Sequence, residues 1–183
     1  MNSIFQVSYN TRNYDHFYLE NQEITKNLSH IIYYDEEIFN FLDKNKLNNV
    51  FNNLLINQSL KHINNILKSD FLRLQIMYVN SGLYLDSDVI IKENIIDFFK
   101  DFEDYDLILT ENLSLYFFYC KDKKNVIIKS IIEDYIKNII SYDIRMLSKI
   151  KILKLSIEHN LKVKFLTHKE IQKYISHKNV TTK

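Results

Sequence analysis

Apolar residues recur along this chain at two different periods, and the alternation between them sketches its elements. Residues 3–8 (Ser-Ile-Phe-Gln-Val-Ser) are partly alternating and β-prone, which predicts an opening strand. Residues 28–34 predict a second, stopping at Asp35-Glu36-Glu37, an acidic start that suits the positive end of a helix dipole. From about residue 47 to residue 80 the period is helical: Val50, Leu54 and Leu55, then Ile63, Ile66 and Leu67, then Leu74, Met77 and Tyr78. Ser81-Gly82 ends it, since Gly supplies the left-handed backbone that closes a helix. Leu83-Tyr84-Leu85 then predicts a strand running on through Asp86-Ser87-Asp88 to Ile91. Next come a short helix over 93–100, strands over 106–110 and 115–120, helices over 125–140 and 144–159, and a strand over 162–166. Thr167 and Glu170 have capping-box spacing and predict a terminal helix. Helices alternate with strands throughout, so the expected class is α/β. A single domain over 1–183 is expected, with its core in 1–120 and a C-terminal helical part in 121–183.

Composition narrows the function classes. Lys and Arg number 24 against 23 Asp and Glu, a net charge of +1, which argues against a broad basic face for nucleic acid. Hydrophobic residues make up 46% of the 183, enough to bury a core. The lone Cys120 excludes an intrachain disulfide and a zinc site of paired cysteines; at the end of an apolar strand it reads as a small buried hydrophobe. There is one Gly and no Pro, so a Gly-rich phosphate loop cannot be built. No apolar run approaches the roughly 18–20 residues of a transmembrane helix. The N-terminus lacks a basic segment followed by a long apolar one, and the expected location is cytoplasmic. The six His show no metal-ligand spacing, Lys121, Lys123 and Lys124 read as a solvated turn, and Glu111-Asn112, which follows a strand, reads as a plain loop ahead of one reaching toward an acceptor.

Two pairs of charged residues carry candidate chemistry. Asp70 and Arg73 stand i, i+3 on one helix face and interrupt an otherwise apolar segment. As a surface ion pair they would contribute about 0.3–0.5 kcal/mol. Asp86 and Asp88 stand two apart at a strand end. If the extended backbone persists, both carboxylates project to one side with α-carbons about 7 Å apart. At about 6 Å they repel by roughly 3 kcal/mol, which solvent or a divalent cation with open positions for phosphate oxygens relieves. An Asp-x-Asp pair alone is weak: with 13 Asp in 183 residues, chance supplies roughly one. A second pair, Asp104 and Asp106, lies in an acidic run and reads as a solvated turn.

Context separates the two pairs. Asp70-x-x-Arg73, a helical run, then Ser81-Gly82-x-Tyr84-x-Asp86-x-Asp88 resembles the sugar-binding DXD region of glycosyltransferases of the mannosyltransferase and large clostridial toxin type. Six of seven motif positions agree at the expected spacing, with Ser81 in place of a first Gly. The resemblance implies a GT-A-like sandwich with a mixed central sheet and flanking helices. It also implies a nucleoside-diphosphate sugar donor, Mn²⁺ or Mg²⁺, a glycan, polysaccharide or protein acceptor, and transfer with retention. By the same resemblance Asp70 and Arg73 contact the donor sugar, Asp86 the nucleotide ribose and the metal, and Asp88 the metal more directly. Gln6 and Tyr9 of the opening strand lie beside the nucleotide, Tyr9 standing where the family has an aromatic stacking residue. No catalytic nucleophile is assigned. A Gly-Pro pair and a His-rich, Trp-containing C-terminal segment of the family have no counterpart before Lys183. Either the sequence is short there or a third metal ligand is lost, so a catalytically silent binding module stands as the alternative. A phosphodiesterase using Asp70, Asp86 and Asp88 ranks below both, because it would need a basic substrate face.

Overall fold

Every residue of Ser3–Val7 after the first is buried, and an Ile-Phe-Gln-Val run covered on both faces is what an interior parallel strand requires. A computed structural model describes residues 3–8, 15–49, 61–138 and 149–177, and in it this segment, β1, is such a strand. It pairs in parallel with β2 (Ser29–Tyr33) on one side and β3 (Gly82–Leu85) on the other. Helix α1 (Asp15–Ile24) links β1 to β2; α2 (Asp35–Lys44) and α3 (Lys61–Asn80) precede β3. Then follow β4 (Val89–Ile91), α4 (Ile95–Asp101), β5 (Leu107–Thr110), β6 (Phe117–Cys120), α5 (Val126–Asn138), α6 (Lys149–Glu158), β7 (Val163–Leu166), α7 (His168–Ile171) and β8 (Ile175–His177).

The main sheet has the order β2-β1-β3-β6-β5-β7. Strand β6 is antiparallel to β3 and to β5, and β7 is parallel to β5. Five strands therefore share one direction, and their carboxyl ends share one edge. Alternate residues face two cores. Phe5, Tyr84, Leu107, Leu109 and Phe118 meet the apolar faces of α2, α3 and α5. Ile4, Leu83, Leu85, Ile108 and Phe117 meet α4 and the separate antiparallel ladder of β4 and β8. The result is a mixed sheet with helices on both faces, the expected α/β class. No helix among the described residues is long and apolar enough to cross a membrane.

Local chemistry explains most element boundaries. Glu37 accepts from the Tyr34 amide at 3.2 Å, so the acidic start of α2 supplies the glutamate half of a capping box. Thr167 and Glu170 form the expected box, with the Thr167 amide 2.7 Å from Glu170 Oε2. Cys120 is fully buried, and burial pushes its thiol up to about 12.

Four boundaries differ from expectation. Ser81, at φ 63°, supplies the left-handed residue after α3. Gly82, at φ 120°, serves another need: a Cβ there would lie 2.5 Å from the Ser3 carbonyl oxygen and 2.9 Å from the Phe5 ring. The expected strand through Asp86 and Asp88 instead breaks at Leu85. The Asp86 amide donates to Tyr116 O at 2.9 Å, beyond the start of β6, and the Val89 amide donates back to Asp86 O at 3.1 Å, closing a turn. The strand expected from residue 115 starts at Phe117, because Leu113 at φ 59° and the Thr110 hydroxyl on Ser114 O hold a turn before it. The terminal helix stops after four residues, and β8 then pairs with β4, Ile91 opposite Ile175. Tyr9, the helical positions Val50, Leu54 and Leu55, and the start of the helix expected over 144–159 lie outside the described residues.

Candidate functional site

From β1 the chain leaves through α1 to one side, and after β2 it crosses back to place β3 on the other. The crevice beyond the carboxyl ends of β1 and β3 is thus a topological switch point, where open α/β sheets bind ligands. Asp86 follows β3 directly into that crevice. Helix α3 is anchored by Phe71, Leu72, Leu74, Ile76 and Met77, all essentially fully buried, and Asp70 and Arg73 project from the same side as Leu74 and Met77, one turn away along the helix.

The structure brings Asp70, Arg73 and Asp86 into contact. Arg73 Nη1 lies 2.9 Å from Asp86 Oδ1, and Nε lies 3.4 Å from Asp70 Oδ1. The guanidinium also donates to Ser69 Oγ at 2.9 Å and sits 5.3 Å from the Tyr84 ring centroid. Tyr84 donates its hydroxyl to Asp86 Oδ1 at 3.2 Å. Side-chain exposure is 12% for Arg73, 10% for Asp70 and 27% for Asp86, so a surface pair does not describe this trio.

Burial sets the protonation. Desolvation pushes the Asp70 carboxyl up to about 6, Arg73 opposing and Asp86 adding to the shift. For Arg73 burial works against the charge, but Tyr84, Asp86, Asp70 and Tyr135 outweigh it and hold the guanidinium protonated. Tyr135 of α5 has its phenol pushed up by burial and then by Asp70, with Arg73 opposing. The sequence places Tyr135 only on an apolar helix stripe; a hydroxyl on that stripe was the signal available.

Gln6 is 1% exposed, and both ends of its amide are engaged: Nε2 donates to Asp86 O at 2.8 Å and Oε1 meets His30 Nε2 at 2.9 Å. The second ring nitrogen of His30 lies 3.1 Å from Thr25 Oγ1, and burial lowers the imidazole to about 4. His30, Thr25 and Asn21 have no counterpart among the sequence expectations, because their only signal is tertiary contact. Asp88 lies partly buried in the turn that Asp86 opens. Among the described residues no group of three or more His, Cys, Asp or Glu could hold a metal. Asp86 and Asp88 still supply hard oxygen donors, which fits Mg²⁺ or Mn²⁺ held by one or two carboxylates with phosphate oxygens and water completing the shell.

A cavity of about 380 Å³ lies along the same edge, lined by Thr110, Glu111, Asn112, Tyr116, Leu166 and His168 at the ends of β5 and β7. Tyr116 joins it to the site: its carbonyl takes the Asp86 amide, and its phenol, 3.1 Å from His168 Nδ1, is pushed up by burial and by Asp86. A larger cavity, about 650 Å³, opens at the opposite edge beside Gly82, Phe99 and Lys121.

Comparison with known proteins bears on this geometry. Residues 1–115 match the model of a family described as "Glycosyltransferase sugar-binding region containing DXD motif". That span includes Gln6, Tyr9, Asp70, Arg73, Asp86 and Asp88. A solved structure described as "PaToxG Glycosyltransferase" is similar at a TM-score of 0.49 and 13% identity, over 87% of this chain and 74% of that one. No curated protein matches the chain.

Proposed function

The chain belongs to the family of glycosyltransferase sugar-binding regions containing a DXD motif, and from that premise we infer that it transfers a sugar from a nucleoside-diphosphate donor to an acceptor. The supporting observation is the buried Asp70–Arg73–Asp86 trio at the switch point, 2.9 and 3.4 Å apart at its two contacts. Arg73 is locked by Ser69 and Asp86 and presents a fixed positive charge toward the crevice. Asp70, with its carboxyl near 6, can accept from a sugar hydroxyl when ionised and donate to one when protonated. Together they orient the donor sugar, which converts binding into correct placement of the reacting bond.

Asp86 and Asp88 would hold Mn²⁺ or Mg²⁺ in this reading. When bound, the ion supplies positive charge against a departing diphosphate. Tyr9, outside the described residues, is assigned to stacking on the base, and Gln6 acts from beneath the site through the Asp86 carbonyl. The acceptor, a glycan or a protein hydroxyl, enters from the cavity at Glu111, Asn112 and Tyr116, which adjoins Asp86 on the same edge. Retention at the anomeric carbon follows the family resemblance.

Thermal denaturation with UDP, GDP and their sugars tests this, with Mn²⁺ or with chelator. The expected result is a Mn²⁺-dependent rise in Tm that Asp88→Ala abolishes, accompanied by release of free nucleoside diphosphate from one sugar nucleotide. Stabilisation without turnover of any donor would replace the enzyme with a silent binding module. No shift with any nucleotide removes the donor site altogether.

A further inference from the structure

The turn that carries the two motif carboxylates is gripped at both ends by buried side-chain amides. Asp86 opens it and Val89 closes it, with the Val89 amide 3.1 Å from Asp86 O. At the first end, Gln6 Nε2 from β1 donates to the same Asp86 carbonyl at 2.8 Å. At the second, Asn21 of α1, 0% exposed, donates from Nδ2 to Val89 O at 2.8 Å and accepts the Ile91 amide on Oδ1 at 2.7 Å. Asn21 thus pairs with the backbone of β4 as a strand would, while β8 occupies the other edge of β4.

The chemistry of these contacts fixes their direction. A backbone carbonyl only accepts, so the NH₂ group of each amide must face Asp86 O or Val89 O. The Gln6 oxygen then faces His30 Nε2, which must carry a proton to satisfy it. His30 in turn meets Thr25 Oγ1, whose one proton serves either His30 Nδ1 or the Asn21 backbone carbonyl 2.7 Å away, so the two grips adjoin through Thr25. Asp86 and Asp88 occupy the first and third positions of the turn, and the grips hold its first and fourth.

We propose that Gln6 and Asn21 are positioning residues that set the aim of the Asp86 and Asp88 carboxylates for a divalent cation. The proposal rests on the donor-site reading above, and its physical basis is that partners behind a ligand fix its orientation and tune metal affinity. Neither amide touches substrate; each acts through the backbone of the turn. Asn21 grips β4 beyond the second carboxylate and Gln6 grips the backbone at the first, so releasing either frees one end of the turn.

Two variants of the full chain test it, one at each end: Gln6→Leu and Asn21→Leu. Mn²⁺ affinity is read by the paramagnetic resonance of free Mn²⁺ in the presence of UDP or GDP, and amide hydrogen exchange is read residue by residue without metal. Each variant is expected to weaken Mn²⁺ binding about 10–100-fold. Exchange at Val89 and Ile91 should quicken at least about tenfold while Leu83 and Leu107 keep wild-type protection. Mn²⁺ affinity within twofold of wild type in both variants overturns the proposal, as does exchange that quickens everywhere, the signature of general destabilisation. If wild type binds no Mn²⁺ in any of these solutions, the donor-site reading fails. Unchanged exchange at Val89 and Ile91 overturns the grip by itself, whatever the metal does.

Discussion

At the scale of single residues, Asp70 and His30 set opposite pH dependences on stability. The folded Asp70 carboxyl, near 6 against an ordinary 3.8, holds its proton more tightly than the unfolded chain does. Its contribution is full below pH 4 and is lost as the pH rises through 6. His30, near 4 against 6.5, resists charging in the fold, so its contribution is present above pH 6.5 and is lost as the pH falls through 4. Each shift is worth about 3 kcal/mol across its window, and within the overlap they oppose one another. Asp70→Asn should therefore leave stability climbing from pH 4 to 6.5, and His30→Gln should leave it declining from pH 4 to 6, as measured by urea midpoints. Two variants with the wild-type slope would contradict the burial that produces both shifts. Arg73 illustrates a related point: its charge is tolerated because two carboxylates face it, and removing either leaves a poorly compensated buried cation.

At the scale of elements, the junction of α3 and β3 separates two roles that the sequence merges. Ser81 turns the chain at φ 63°, and Gly82 lets β3 approach β1. Gly82→Ala should cost about 3 kcal/mol in urea denaturation, because the added methyl meets backbone rather than a movable side chain. Ser81→Gly should stabilise by up to about 1 kcal/mol, since relief of a left-handed non-Gly residue, roughly 1–2 kcal/mol, exceeds the extra freedom gained by the unfolded chain. A loss of stability in Ser81→Gly would show that the Ser81 side chain holds the junction. The strands of the main sheet and the helices after β2 were legible because each keeps its own apolar period, whereas α1, a largely polar Asp-His-Phe-Tyr-Leu-Glu-Asn-Gln-Glu-Ile run, was not. Asp70, Arg73, Asp86 and Asp88 were legible because one stretch of about 20 residues fixes their spacing. The β4–β8 ladder and the contacts of Gln6, His30 and Asn21 were not. Three-residue strands carry too little period to register, and the contacts of Gln6 and Asn21 with the motif turn span 80 and 68 residues.

At the scale of the whole molecule, one sheet edge collects the chemistry. The carboxyl ends of β1, β3, β5 and β7 bring together the motif turn, the Tyr116 cavity and the start of α7. Hydrogen exchange with Mn²⁺ and a nucleoside diphosphate should show protection over residues 86–89 and 110–116. The cavity beside Gly82 and Lys121 at the other edge should stay unaffected. Protection confined to that far edge would relocate the ligand and defeat the switch-point reading. The pairing of β4 with β8 joins the motif turn to one of the last described strands of the chain. During synthesis, at about 5–20 residues per second, the segment around Asp86 leaves the ribosome seconds before its distant partner exists. A stalled or prematurely released polypeptide would carry both acidic side chains yet leave that flank without its brace. A nascent chain must extend past His177 before the motif turn has both of its flanks braced.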